Sequence, residues 1–320
     1  LTTDTDGEES IAVRIETVTG PVRPDDLGTT LMHEHVLCDL WEWGGRRDYN
    51  SILDDEELLG EELATYRAAG GSALVEVTPA DAGRNPLGLR RVAEASGVLI
   101  VMGCGWYRER VYPSVVYELS TNRLADCIVA EFADGVGGSG VRPGIIGEIG
   151  TERFHITPAE ERVFRAAARA QRATGAAITT HTTHFGDLAV EQVELLLEEG
   201  VRPDRIVIGH LGERRDVRLE LEVARSGVFV EIDHVGRPAS AGTQPESQRA
   251  RNVADLVRAG HLDQVLISMD VCANSQFHWN GGHGYDYLLR SFVPLLLDEG
   301  LTEAQVQTIL IDNPRRVLAF

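Results

Sequence analysis

The sequence predicts an α/β protein, a (β/α)8 TIM barrel folded as a single domain. Two observations carry that prediction. Eight short apolar runs rich in β-branched residues alternate with helical stretches, and nothing along the 320 residues reads as a linker. The first run, 30–36 (TLMHEHV), follows Gly28. A helix then opens at Asp54 or Asp55 and closes at Gly70-Gly71, before a second strand over 73–78 and a third over 98–102. The fourth strand, 145–149, leads to Thr157-Pro158 with Glu160, a capping box with proline at the first helical position, and Gly175 ends that helix. Strand five covers 177–182 and is followed by a helix over about 187–200; strand six is 206–211. Strand seven, 228–233, precedes a helix over about 246–260, and strand eight is 265–270. Helices over about 285–300 and from Thr302 onward complete the chain. The segments DGVGGSGVRPG and PASAGTQPESQ are loops, and residues 1–10 (LTTDTDGEES) form a polar extension of the 1–320 domain. A doubly wound sheet would carry a glycine fingerprint after its first strand, where this chain has HEHVLCDLWEWGG.

Composition then removes whole classes of function. With 50 Asp+Glu against 30 Lys+Arg, the net charge of −20 argues against a nucleic-acid backbone or an anionic membrane surface as partner. Every basic residue is arginine; the chain has no lysine. That excludes a lysine Schiff base, lysine-held pyridoxal phosphate, a P-loop lysine, a lysine base and a carbamylated-lysine metal bridge. Cys38, Cys104, Cys127 and Cys272 lie far apart without a CxxC pair, which suits a reducing compartment. The polar, acidic N-terminus has no signal-like apolar core, so the expected location is cytoplasmic.

In a barrel the chemistry gathers at the C-terminal ends of the strands. All of the ten histidines except His261 fall there or in the loops that follow. His33 and His35 end strand one, His181 and His184 follow strand five, and His210 ends strand six. His155, His234, His278 and His283 follow strands four, seven and eight. Strand side chains alternate, so His33 and His35 project together into the barrel about 7 Å apart while Glu34 points outward as a structural residue. Strand four ends IIGEIG and strand eight ISMD, leaving Glu148 and Asp270 as lone carboxylates in apolar runs. Such a group is costly to bury unless it meets a cation. Imidazoles and carboxylates converging on one face read as a metal site.

These residues resemble the phosphotriesterase family of the amidohydrolase superfamily. The match starts with GTTLMHEHV (28–36) and continues through GEIGTE, VIGHLGE, ISMD, GGHGYDYLLRSFVPLLL and DNPRRVL, covering nearly the whole chain in order. The resemblance implies two divalent metal ions, often zinc, and often a homodimer. His33, His35 and Asp270 would hold the more buried ion and His181 and His210 the more exposed one. Glu148 and a hydroxide would bridge them. Many members use a carbamylated lysine at that bridge; this chain places Glu148 there, as another branch does. Manganese, cobalt or iron would also suit these ligands.

By the same resemblance, Asp233-His234 corresponds to a relay histidine and Glu213 to a relay carboxylate, so Asp270, His234 and Glu213 would carry a proton from the bridging hydroxide toward solvent. Tyr107, in GCGWY, resembles the tyrosine that lactone-cleaving relatives place beside the metals. The expected function is hydrolysis of a lactone or carboxylic ester, with Asp270 taking the proton. Phosphotriester cleavage, amide hydrolysis and a non-catalytic ligand-binding barrel are the alternatives.

Overall fold

The computed structural model describes residues 13–41, 49–183, 186–240 and 243–320; the polar extension over 1–10 lies outside them. The barrel strands are β1 (Thr30–Glu34), β2 (Ala73–Glu76), β3 (Leu99–Met102), β4 (Ile146–Gly150), β5 (Ile178–His181), β6 (Ile206–Ile208), β7 (Phe229–Ile232) and β8 (Val265–Ile267). Strands β1 to β3 pair in parallel in sequence order, and so do β4 to β8. Two seams close the ring. Gly144 N–H donates to Met102 O (2.9 Å) and Gly147 N–H to Cys104 O (2.6 Å), joining β3 to β4. Asp270 N–H donates to His33 O and His35 N–H to Val271 O, both at 3.1 Å, joining β8 to β1. The chain is a (β/α)8 barrel, and its second seam runs through three of the residues singled out above.

Helices α1 (Glu56–Ala68), α2 (Pro86–Ser96), α3 (Thr121–Asp134), α4 (Pro158–Thr174), α5 (Ala189–Glu198), α6 (Arg218–Ala224), α7 (Glu246–Arg258) and α8 (Val293–Asp298) follow the strands in turn. The expected signals operate where they were read. Asp55 accepts the Leu58 N–H at the start of α1, and Thr157 and Glu160 form the reciprocal capping box of α4. Helices α2, α3 and α6 were not delimited in sequence, although Asn85-Pro86 and Gly97 punctuate α2 as clearly as the others. The helix expected over 285–300 opens into a wider π turn at Leu288–Phe292 before α8. Among the described residues no helix is long and apolar enough to cross a membrane.

Side-chain alternation divides the core into two layers. Leu31, Leu74, Ile100, Ile146, Ile178, Ile208, Val230 and Ile267 pack outward against the helices. Met32, Val75, Val101, Ile145, Ala177, Val207, Phe229 and Leu266 fill the lower lumen. With Leu31 out and Met32 in, strict alternation would turn His33 outward. A register shift between Leu31 and Glu34 inserts one residue into β1, and His33 faces the lumen instead. The same device recurs in β4. Ile145 is inside and Ile149 outside, and the shift between Ile146 and Ile149 is what brings Glu148 inward.

Gly147 makes the second bulge possible. Its φ is +123°, and a Cβ there would lie 2.1 Å from Thr179 O. Gly147→Ala should therefore cost about 3 kcal/mol or more. Urea denaturation checks this; an unchanged midpoint would contradict it.

Candidate metal centre

Glu148 lies at the centre of the upper lumen, 2 % exposed. Its Oε2 is 2.9 Å from His181 Nδ1, 3.5 Å from His33 Nε2 and 3.6 Å from His210 Nε2, while Oε1 is 3.4 Å from His35 Nε2. Asp270 closes the far side, with Oδ1 3.4 Å from His35 Nε2. All six residues expected as metal ligands therefore meet at one place. Four overlapping groups have ligand atoms close enough to share an ion, among them His33–His35–Glu148 and Glu148–His181–His210. Two of these residues sit in strained backbone. His210 (φ +57°) and Asp270 (φ +49°), with Leu188, are the non-glycine residues in the left-handed region among those described. Such strain persists where the surroundings over-determine it. His210 N–H donates to Asp233 Oδ2 at 2.8 Å, and Asp270 N–H is fixed in the β8–β1 seam.

A ring of buried polar groups orients the six. Glu34 accepts Ser268 O–H (2.7 Å), Met269 N–H (2.9 Å) and Val271 N–H (2.8 Å), so its outward side chain pins the turn that carries Asp270. Burial pushes its carboxyl up to about 8 despite those donors. Thr78 Oγ1 is 2.8 Å from His35 Nδ1, and Asp233 Oδ1 is 3.1 Å from His210 Nδ1. Glu213 Oε1 is 3.0 Å from His234 Nδ1, and His234 Nε2 is 3.4 Å from Asp270 Oδ2. The array Asp270–His234–Glu213 is present, but it does not lead outward. Glu213 is buried and its Oε1 accepts from the fully buried Arg249 at 2.9 Å. Tyr107 Oη is 3.2 Å from His181 Nδ1, and both Asp81 oxygens accept the Tyr107 N–H at 3.1 Å.

Above these groups opens a cavity of about 410 Å³, walled in part by Leu40, Pro79, Tyr107, Arg108 and Arg153. Cys272 also lines it, whereas Cys104 and Trp106 are packed into the core. His278 pairs instead with Glu62 (2.9 Å) and Asp286 (3.1 Å), His283 packs on Tyr287, and His184 lies outside the described residues. The sequence reading missed three charged residues. Arg237 contacts Asp270 Oδ2, Arg249 contacts Glu213, and Glu231 places Oε2 3.5 Å from His33 Nδ1. Period-two alternation from Asp233 would have put Glu231 in the lumen; nothing local marks either arginine.

The family model for the phosphotriesterase family matches residues 13–318. The chain belongs to the phosphotriesterase family. An N-acetyltaurine hydrolase of Danio rerio is 32% identical over 96% of this chain and 98% of the relative. The solved phosphotriesterase homology protein of Escherichia coli, described with phosphate in its active site, is 34% identical with a TM-score of 0.87, over 92% of this chain and 99% of that one. A lactonase of Listeria monocytogenes is 30% identical with a TM-score of 0.89, over 95% and 98%.

This phosphotriesterase-family chain has the donors that a pair of divalent ions needs. His33 is fully buried, and the carboxylate oxygens that face its ring, Glu148 at Nε2 (3.5 Å) and Asp233 at Nδ1 (3.4 Å), do not reach hydrogen-bond geometry. That is costly for an imidazole unless its lone pair faces a cation. Four imidazoles and two carboxylates suit zinc and its neighbours equally. His33, His35 and Asp270 would hold one ion, His181 and His210 the other, and Glu148 would lie between them.

The electrostatics point the same way. Burial opposes the Glu148 charge, yet the His181 and His33 rings outweigh it and hold the carboxyl well below the usual range. Burial also disfavours charge on His35 and His210, but Asp270 and Glu148 push His35 up to about 10, and Asp233 pushes His210 up to about 9. Those rings carry protons at neutral pH in the metal-free protein, whereas ligation needs them neutral. Metal uptake at pH 7 should therefore release protons, and affinity should rise with pH by about tenfold per unit for each proton displaced. Indicator-dye titration during metal loading measures the release; uptake without it would contradict this charge assignment.

Proposed function

We propose that this chain is a binuclear metal-dependent hydrolase that opens lactones or other carboxylic esters. The observation that carries the reading is Glu148 held between two sets of imidazoles with Asp270 opposite, directly beneath a cavity. When bound, the two ions would supply Lewis acidity and an activated water. The protein's own groups then manage the proton. Asp270 Oδ2 accepts it and faces His234 Nε2. Against burial, His234 and Arg249 hold Glu213 below the usual carboxylate range; it accepts a hydrogen bond from His234 Nδ1 and so turns the lone pair of Nε2 toward Asp270. That role replaces an exit path to solvent. Tyr107 Oη stands beside His181 at the cavity wall, where it can donate to an oxygen of the acyl group or leaving group.

A second reading is acyl-amide hydrolysis, favoured by the N-acetyltaurine hydrolase at 32% identity over nearly the whole chain. The test is a turnover screen of metal-reconstituted protein over lactones, aryl esters, N-acyl amines and organophosphates. Turnover of lactones or esters above the rest supports the first reading. Amides above esters would replace it with the second, and organophosphates above both would move the activity to phosphorus. No turnover with two ions bound would leave a ligand-binding barrel. A homodimer and a cytoplasmic location complete the proposal; light scattering tests the first and localisation of a tagged chain the second.

A further inference from the structure

We infer that Glu76, acting through the Thr78 hydroxyl, fixes which ring nitrogen of His35 keeps its proton and so turns the Nε2 lone pair toward a metal ion. This rests on the metal-dependent reading and makes Glu76 a positioning residue within it. A neutral imidazole has one nitrogen that donates and one that accepts, and the partner of one nitrogen decides the role of the other. At His210 the decision is made by Asp233, whose Oδ1 lies 3.1 Å from Nδ1, because a carboxylate oxygen only accepts. At His35 the partner of Nδ1 is a hydroxyl, Thr78 Oγ1 at 2.8 Å, and a hydroxyl can do either. A further group must set its direction.

That group is Glu76. Val75 and Val77 fill the lower lumen, so Glu76 faces outward from β2, beside Glu34 across the β1–β2 pairing. Its Oε1 accepts the Thr78 O–H at 2.5 Å and the Val36 N–H at 3.3 Å. An amide N–H has only a proton to offer, so Oε1 is an acceptor and the single Thr78 proton goes to it. The hydroxyl therefore meets His35 with a lone pair, and Nδ1 supplies the hydrogen. Nε2 is left to face Glu148 Oε1 and Asp270 Oδ1, each 3.4 Å away. His35, Thr78 and Glu76 are all buried, so water does not compete for these contacts.

The neighbouring strands repeat the device in a form whose direction is certain. Ser268 Oγ accepts the His33 backbone N–H at 2.9 Å and donates to Glu34 Oε1 at 2.7 Å. There too an outward glutamate takes the hydroxyl proton and leaves the oxygen to accept from the barrel side. At Glu76 the group on the barrel side is an expected ligand ring. Glu76 also grips the chain beside that ring, since Val36 follows His35, while Tyr285 Oη donates to the His35 carbonyl at 2.7 Å. Ring and backbone are thus fixed together, which is what a ligand needs to present one nitrogen in one direction.

The test uses the zinc-loaded full chain, with ion affinities read by chelator competition and the His35 ring read by 1H–15N NMR. Glu76→Met and Thr78→Val, each close to the original in volume, should weaken one of the two ions by about 10- to 100-fold and leave the other near its wild-type affinity. The double variant should lose no more than the worse single one, because the two groups act in series. Glu76→Gln and Thr78→Ser keep the acceptor oxygen and the hydroxyl, and should recover most of the affinity. The wild type should show a His35 Nδ1–H resonance that disappears in Glu76→Met and Thr78→Val. A role in holding the fold alone would lower the unfolding midpoint without moving that resonance or separating the two ions. Wild-type affinities in both single variants, additive losses in the double one, or Glu76→Gln no better than Glu76→Met overturns the inference. If the wild type binds no ion, the metal-dependent reading fails by itself, and the Nδ1–H resonance of the unloaded chain judges the inference. Its loss in both variants supports the inference, and its persistence in either overturns it.

Discussion

Glu148→Gln is expected to strip both metal ions from the protein and lower kcat/KM by at least about a thousandfold. Glutamine keeps the volume of the side chain, so the barrel around it can pack as before. What it removes is the buried negative charge that faces all four imidazoles. Oε2 faces His33, His181 and His210 within 3.6 Å, and Oε1 faces His35 at 3.4 Å. An amide presents one neutral acceptor and one donor to those positions, and its N–H2 would point at a cation or at an imidazole N–H. Either arrangement opposes two divalent ions. Metal analysis should find well under one ion per chain, against about two in the wild type, with circular dichroism unchanged. Two bound ions with near-normal turnover in the variant would remove Glu148 from the bridge. The absence of lysine sharpens the test, because a carbamylated bridge cannot form here. Reconstitution in carbon-dioxide-free buffer should give full activity, and a bicarbonate requirement would contradict a carboxylate bridge.

The eight strands were legible because parallel strands are buried on both faces and so read as continuous apolar runs. The candidate ligands were legible because a charged or imidazole group closing such a run has no other inexpensive place to go, as at Glu148 and Asp270. The reading of His33 and His35 reached the lumen by simple alternation; the structure reaches it through a bulge. Met32 packs inside directly before His33, and only the extra residue in β1 reconciles the two. Its counterpart at Glu148, set by pairing with β5, is marked only by Gly147, whereas the bulge in β1 depends on pairing with β2 and leaves no local mark. The same holds for Arg249, which lies 36 positions from Glu213 yet ends the proton array inside the protein. Left-handed backbone at His210 and Asp270 is likewise imposed by tertiary hydrogen bonds, since neither residue type requires it. Sequence thus located the candidate centre. The positions of the charges around it, which decide how protons move, come from contacts between loops.

Asp270→Asn separates metal holding from proton transfer, and its expected signature is a fall in kcat of about a thousandfold or more with at least one ion retained. On the proposed reading the carboxylate has two tasks, assigned to different oxygens. Oδ1 lies 3.4 Å from His35 Nε2 on the ligand side, and Oδ2 lies 3.4 Å from His234 Nε2 and contacts Arg237. Burial alone would raise its pKa, but Arg237, His234 and His35 hold it well below the carboxylate range, so it stays ionised through neutral pH. Asparagine retains an oxygen that can still face the ion, yet it cannot accept a proton. The stability cost is modest, about 2 kcal/mol, because Arg237 loses its anion but is partly open to water. His234→Asn should lose only about 10- to 100-fold, because it removes the next acceptor and leaves Asp270 in place. If the two variants fell equally while both ions stayed bound, the proton would be leaving through His234 without stopping at Asp270. If Asp270→Asn lost its ions entirely, the residue would be a ligand first, and its role as base would have to be carried by the pH profile of a variant that keeps the ions, such as Glu213→Gln.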